Sequence, residues 1–186
     1  MNINKNTNFD NNNDIVGLNP LIIPNSIEIR SYQKNISESS RGKNTLVILP
    51  TALGKTVISA LICSDILYNY KSKRVLVMAP TRPLVMQHEN SFSSILKIPQ
   101  EQIFVITGKI PPNNRNLIWS NDQLRIIFAT PEIVKNDVLE QRINLDDFGL
   151  LVFDEAHRAV KDYAYTLIAK EYIQNASYPL ILATTA

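Results

Sequence analysis

Short apolar runs that lack polar alternation constrain this chain more than any other feature of its sequence. Val75-Leu76-Val77-Met78-Ala79, Ile126-Ile127-Phe128-Ala129 and Leu150-Leu151-Val152-Phe153 carry no polar residue at alternate positions. A strand built from any of them must be covered on both faces. Between the runs lie segments with apolar residues at helical spacing, such as Val57, Leu61, Ile62, Ile66 and Leu67. The pattern predicts strands over 45–49, 74–79, 102–107, 125–130, 149–154 and 180–184, and helices over 55–69, 83–96, 112–120, 131–142 and 163–175. Alternation with short connections calls for βαβ crossovers and an α/β fold, a mostly parallel sheet with helices on both faces.

The 186 residues, 45% of them hydrophobic, make room for one domain with a sizeable core. The first 25 residues are rich in asparagine and poor in apolar side chains, and are read as a disordered arm, with the domain occupying 26–186. Within the arm, Pro20-Leu21-Ile22-Ile23-Pro24 is expected to dock as an extended piece, because its prolines oppose a helix. A net charge of +2 is compatible with a phosphate-backbone partner but does not require one. Cys63 is the single cysteine, which excludes an internal disulfide and a cysteine zinc cluster and fits a core position in a reducing cytosol. No apolar run reaches membrane-spanning length, and the start lacks the apolar core of a signal peptide, so a cytoplasmic protein is expected.

Two runs carry chemistry. Asn44-Thr45-Leu46-Val47-Ile48-Leu49 reads as a buried strand that stops at Pro50 and is followed by Thr51-Ala52-Leu53-Gly54-Lys55-Thr56, where a helix begins. The N–H groups of a helix start are unpaired and partly positive, Gly54 lets the chain come close, Lys55 can reach β/γ-phosphates, and the Thr56 hydroxyl can hold Mg²⁺. The general phosphate-loop pattern has glycine where this chain has Leu49, and commonly a second where it has Ala52. An ordinary strand-turn-helix with a surface lysine is the alternative. Downstream, the run Gly149 to Phe153 delivers Asp154 and Glu155 to the carboxyl end of a strand, the edge where open α/β sheets bind ligands. Beside a phosphate loop, Asp154 would hold Mg²⁺ and Glu155 would orient or deprotonate the attacking water. The alternative is a solvated acidic turn. Thr81-Arg82-Pro83 and Thr130-Pro131-Glu132 follow two further strands, and by themselves both read first as helix caps and second as phosphate contacts. His157 by itself reads as a solvated residue at a strand end. Trp119 and the tyrosines 163, 165 and 172 read as packing.

Asp154-Glu155-Ala156-His157 resembles the DEAH form of motif II in superfamily 2 helicases, and Pro50 to Thr56 resembles their motif I. In the same order, Arg30-Ser31-Tyr32-Gln33 resembles the Q motif, Ala79 to Val85 motif Ia, Thr130-Pro131-Glu132 motif Ib, and Ala183-Thr184-Thr185-Ala186 the start of motif III. The stretches Thr81 to His88, Thr107-Gly108-Lys109-Ile110-Pro111-Pro112 and Phe153 to Val160 are similar to the archaeal Hef and eukaryotic FANCM helicases, which remodel branched DNA. The resemblance covers residues 27 to 186 and implies the first RecA-like domain, a three-layer sandwich.

It implies ATP and Mg²⁺ as ligands. Lys55, Asp154, Glu155 and His157 would be the catalytic set, with Thr56 and Asp154 on the metal and His157 hydrogen-bonded toward Thr184 or Thr185 of motif III. Arg30, Gln33 and residues Thr51, Ala52, Leu53, Gly54, Lys55 and Thr56 would bind nucleotide, Gln33 at the adenine edge. Thr81, Arg82, Gln87, Thr107, Gly108, Thr130 and Pro131 would contact DNA, single-stranded or branched, without regard to sequence. Motif III in this subgroup continues with serine, proline and glycine, whereas the sequence stops at Ala186, so the domain is read as truncated there. A second RecA-like domain, supplied in trans, would be needed for full turnover. The expected function is therefore the ATP-binding motor domain of a DNA helicase or translocase in repair, weak or inactive alone. A truncated or split-gene ATP- and nucleic-acid-binding module without catalysis is the alternative.

Overall fold

A computed structural model describes residues 19–161 and 163–186. Six parallel strands form one sheet in the order β1-β6-β5-β2-β4-β3. They are β1 (Thr45–Ile48), β2 (Arg74–Met78), β3 (Ile103–Ile106), β4 (Ile126–Ala129), β5 (Phe148–Asp154) and β6 (Ile181–Thr185). Six α-helices accompany them: α1 (Ser31–Ser39), α2 (Lys55–Asn69), α3 (Arg82–Ile95), α4 (Pro112–Trp119), α5 (Pro131–Leu139) and α6 (Ala164–Asn175).

The unalternated apolar runs become the middle of this sheet. Successive side chains on β2 point to opposite faces, so Val75 and Val77 join one core while Leu76 and Met78 join the other. The first core is closed by α2 and α3, through Ile58, Leu67 and Phe92 among others. The second is closed by Trp119 of α4, Val134 of α5, and Tyr165, Ile168 and Tyr172 of α6. Each fully buried large apolar side chain stabilises the fold by roughly 1.5–3 kcal/mol, and both faces are filled, which is the covering that the sequence demanded.

Strand β1, read from the sequence as buried, is instead a sheet edge on which Val47 is buried while Leu46 and Ile48 are exposed, because only β6 lies beside it. Three further features depart from the sequence expectation. Helix α1 was not foreseen, because its buried positions are Gln33 and Ser37 rather than an apolar stripe. Its start is fixed by a capping box in which the Gln33 side chain accepts from the Arg30 N–H at 2.9 Å. Helix α5 ends at Leu139 rather than near 142, because Gln141 turns left-handed (φ 55°). There the Arg142 N–H bonds the Asp137 carbonyl and the Gln141 N–H bonds the Val138 carbonyl, a Schellman ending. The third concerns the arm. Residues 1–18 lie outside the described residues, but 19–25, counted with the disordered arm in sequence, belong to the folded body. Ile22 is buried and bridges antiparallel to Leu96, with Ile23 N–H on the Ile95 carbonyl and Lys97 N–H on the Leu21 carbonyl. Apolar Leu21 and Ile22 dock on the end of α3 as the extended piece the prolines favour.

Candidate nucleotide site and strand-facing edge

The strand order decides what meets at the carboxyl edge of the sheet. β6 lies between β1 and β5, with Thr185 beside Ile48 and Thr184 beside Asp154. The turn after β1, the acidic pair after β5 and the two threonines thus converge from segments far apart in sequence. The turn runs from Leu49 to Gly54, and α2 starts at Lys55 with Gly54 as its N-cap. Both Ala52 (φ 67°) and Gly54 (φ 76°) are left-handed. A Cβ on Gly54 would lie 2.2 Å from Gln33 Nε2, so glycine is required there by backbone and by space. Ala52 holds the same conformation with a Cβ, at a cost of about 1–2 kcal/mol relative to glycine.

Gln33 and Tyr32 of α1 support this loop. Tyr32 donates its hydroxyl to the Leu53 carbonyl at 2.7 Å and Gln33 donates its amide to the same oxygen at 3.3 Å. Gln33 is buried, while Arg30 is exposed at the rim. The Lys55 ammonium curls across the loop and donates to the Leu49 carbonyl at 2.8 Å. Thr51 is exposed, and Leu53 and Thr56 are half-buried.

Asp154 ends β5 and is buried. Its Oδ1 accepts from the Thr184 hydroxyl and its Oδ2 pairs with His88 Nε2, both at 2.8 Å. The Asp154 main-chain carbonyl accepts from the Tyr165 hydroxyl at 2.7 Å, and the same hydroxyl reaches the Met78 carbonyl, tying the ends of β5 and β2. Burial pushes the Asp154 pKa up, but the His88 imidazole, the Thr184 hydroxyl and the Glu155 backbone N–H outweigh it and hold the pKa below the ordinary carboxylate value. Glu155 takes a left-handed conformation (φ 54°) at the turn out of the strand and is half-buried. His157 Nδ1 lies 2.8 Å from the Thr185 hydroxyl and 3.3 Å from Glu155 Oε2. Of the two threonines expected as its partner, Thr185 is the one it meets, and Thr184 serves Asp154. Among the described residues no three His, Cys, Asp or Glu side chains cluster tightly enough to hold a metal by themselves. The oxygen donors present suit Mg²⁺, which is ordinarily held by one or two carboxylates together with substrate phosphates and water.

His88 is the residue of this group that sequence reasoning left without a role. It falls at the end of the run Thr81 to His88, but its contact spans 66 positions and arises only because α3 leaves β2, the neighbour of β5.

The remaining expected residues lie along the same edge. Thr81 and Arg82 follow β2, Thr107 and Gly108 follow β3, and Thr130 and Pro131 follow β4. Thr81, Arg82, Gln87 and Gly108 are exposed, Thr107 and Thr130 are half-buried, and Pro131 is buried. Thr81 and Thr130 are the N-cap residues of α3 and α5, with proline in the first turn, as the capping alternative has it, although among the described residues neither makes a side-chain cap hydrogen bond. Gly108 has an ordinary φ, and a Cβ there would meet open space, so neither backbone nor room demands glycine at this position.

With this geometry in view, comparison with known proteins is decisive. A profile of the DEAD/DEAH box helicase matches residues 30–186. The chain belongs to the DEAD/DEAH box helicases. It is 40% identical over 169 residues to the DEAD-box ATP-dependent DNA helicase Fancm of Drosophila melanogaster, covering 89% of this chain and 11% of that one. It is 39% identical over 173 residues to the ATP-dependent DNA helicase MPH1 of Candida albicans, covering 93% and 14%. The crystal structure of the Pyrococcus furiosus Hef helicase domain superposes with a TM-score of 0.84 at 43% identity, over 89% of this chain and 34% of that one. This is a RecA-like helicase domain related to the FANCM, MPH1 and Hef proteins, and it spans a small part of the curated relatives' length. Family membership implies use of ATP with Mg²⁺. No helix among the described residues is long and apolar enough to cross a membrane.

Proposed function

We propose that this chain is the ATP-binding motor domain of a DNA helicase or translocase that works on branched or forked DNA. The convergence of the Gly54 turn, Asp154-Glu155 and Thr184-Thr185 at one sheet edge carries the reading. The loop N–H groups and Lys55 receive the β/γ-phosphates, the lysine exchanging its bond to the Leu49 carbonyl for a phosphate oxygen. Thr56 and Asp154 hold Mg²⁺, which when bound neutralises charge developing on the phosphate oxygens. Glu155, half-exposed beside it, orients the attacking water and takes its proton. Gln33 keeps one amide N–H beyond its bond to Leu53 for the adenine edge, with Arg30 at the rim. His157 links this centre to Thr185. Thr81, Arg82, Gln87, Thr107, Gly108, Thr130 and Pro131 meet the phosphates of one DNA strand, contacts indifferent to sequence and weakened by salt.

Stabilising charge on the transferring phosphoryl group calls for arginines from a second RecA-like domain, and such a residue is worth about 10³–10⁵ in rate. The chain alone is therefore expected to bind Mg-ATP, to turn it over very slowly and to unwind nothing. A second reading, a binding module without useful turnover, fits the single RecA-like domain seen here and would be removed by brisk DNA-stimulated hydrolysis from the purified chain. Titration of a fluorescent ATP analogue tests the shared core: Lys55→Ala should abolish binding, and parental affinity in that variant would break the phosphate-loop assignment. Equal affinity for forked and unforked DNA would remove the branched-substrate clause.

A further inference from the structure

We propose that His88 is a positioning residue for the nucleotide site, holding the Asp154 carboxylate in the orientation that receives Mg²⁺; this rests on the nucleotide-site reading above. The imidazole is 7% exposed, and its Nε2 lies 2.8 Å from Asp154 Oδ2. An ionised carboxylate only accepts, so the Nε2 proton is the one shared. Nδ1 is buried and has no hydrogen-bond partner among the described residues. The ring's single polar engagement is therefore Asp154. Its other close aromatic neighbour, Phe92, meets it edge-on at 6.4 Å and supplies packing that an apolar residue would satisfy as well. A side chain kept only to fill this space would not need a buried, half-satisfied imidazole.

The placement gives the bond its effect. Thr184 on β6 holds one carboxylate oxygen and His88 on α3 holds the other, so the plane of the Asp154 carboxylate is fixed from both sides. Beyond the Thr184 and His88 bonds and the Glu155 backbone N–H, the carboxylate still has a lone-pair direction for a metal or its water. Outer contacts of this kind orient a metal-binding carboxylate, and their loss typically weakens metal affinity about 10–100-fold. Without His88, Oδ2 loses its side-chain donor, and the carboxylate is held less firmly, by Thr184 and the Glu155 backbone N–H.

The test compares His88→Met with His88→Gln, side chains of nearly the same shape that differ in the amide donor. For each chain the affinity for a fluorescent ADP analogue is measured with Mg²⁺ and with EDTA, and the ratio of the two is read. Near-ultraviolet circular dichroism reports the fold. The parent should show tighter binding with Mg²⁺, His88→Met should lose about tenfold of that ratio, and His88→Gln should recover most of it. A parental ratio in His88→Met, or a ratio in His88→Gln as low as in His88→Met, would overturn the proposal. So would loss of the folded state in both, which would make the ring purely structural. A parent chain whose binding responds neither to Mg²⁺ nor to Lys55→Ala would overturn the nucleotide-site reading itself, an outcome distinct from those.

Discussion

Two buried aspartates sit on either side of this sheet's architecture and do opposite things with their charge. Asp137, on α5, is fully buried and saturated: Arg115 grips both oxygens at 2.7 and 2.8 Å, Trp119 Nε1 donates at 2.8 Å, and Arg142 adds a bond at 3.1 Å. Asp154 is buried to a similar degree but is held by an imidazole and a hydroxyl, with no arginine or lysine on it. Burial raises both pKa values and the partners more than reverse this, so both lie below the ordinary carboxylate value. Asp137 is thus a closed joint between α4 and α5, whereas Asp154 keeps an open acceptor direction at an edge where a cation can approach. A carboxylate whose cations are already in place anchors a fold, and one held by hydrogen-bond donors alone remains available to a ligand.

Asp137→Ala should break the comparison hardest. It strands two guanidinium groups and an indole N–H, at a cost of about 3–5 kcal/mol, read as a melting temperature lowered by roughly 10 °C in a chain of this length. Asp154→Asn should separate the roles. Its amide can accept from His88 and donate to the Thr184 oxygen, so stability should fall by only about 1 kcal/mol, while the Mg²⁺-dependent part of nucleotide affinity drops at least about tenfold. Similar stability losses in the two variants would erase the distinction.

The smallest effect lies in acid. A carboxylate with a depressed folded pKa contributes stability that is whole above its unfolded value, about 3.9, and that disappears as pH falls through the folded value. Urea unfolding between neutrality and strong acid should therefore show the parent losing stability below that value. Asp137→Asn, weaker throughout, should have a flatter acid limb, and an unchanged slope would mean that Asp137 binds protons alike in both states.

Most of the framework was legible in the chain because unalternated apolar runs admit one kind of strand, and all six strands lie within a residue or two of their expected positions. The Gly54 turn and the acidic pair stood out in the sequence as candidates because the chemistry proposed for them needs particular residues in a row. What escaped depends on contacts that sequence order hides. Helix α1 buries Gln33 and Ser37, so its periodicity is written in polar residues. Asp137 reads as one more polar position on an amphipathic helix, and its Arg115 partner lies 22 positions away on another. His88 looks like the ordinary end of a motif until the β5-β2 adjacency brings it to Asp154. The structural neighbourhoods of Gln33, Glu155 and His157 are now defined, while their roles rest on the proposal.

The position of β6 inside the sheet has a consequence for how the molecule is made. β1 has β6 as its sheet neighbour, and the bond joining Ile181 N–H to the Asn44 side chain crosses 137 positions. At synthesis rates of about 5–20 residues per second, roughly 7 to 27 seconds separate the emergence of the two strands. During that interval β1 lacks its β6 partner, and even in the finished sheet it remains an edge with Leu46 and Ile48 exposed, so the carboxyl edge that joins the Gly54 turn to Asp154 is among the last parts of the nascent chain to assemble. Changes in 45–48 should accordingly show first in the yield of folded protein on the ribosome, where chaperones meet that edge, before they show in any property of the finished domain.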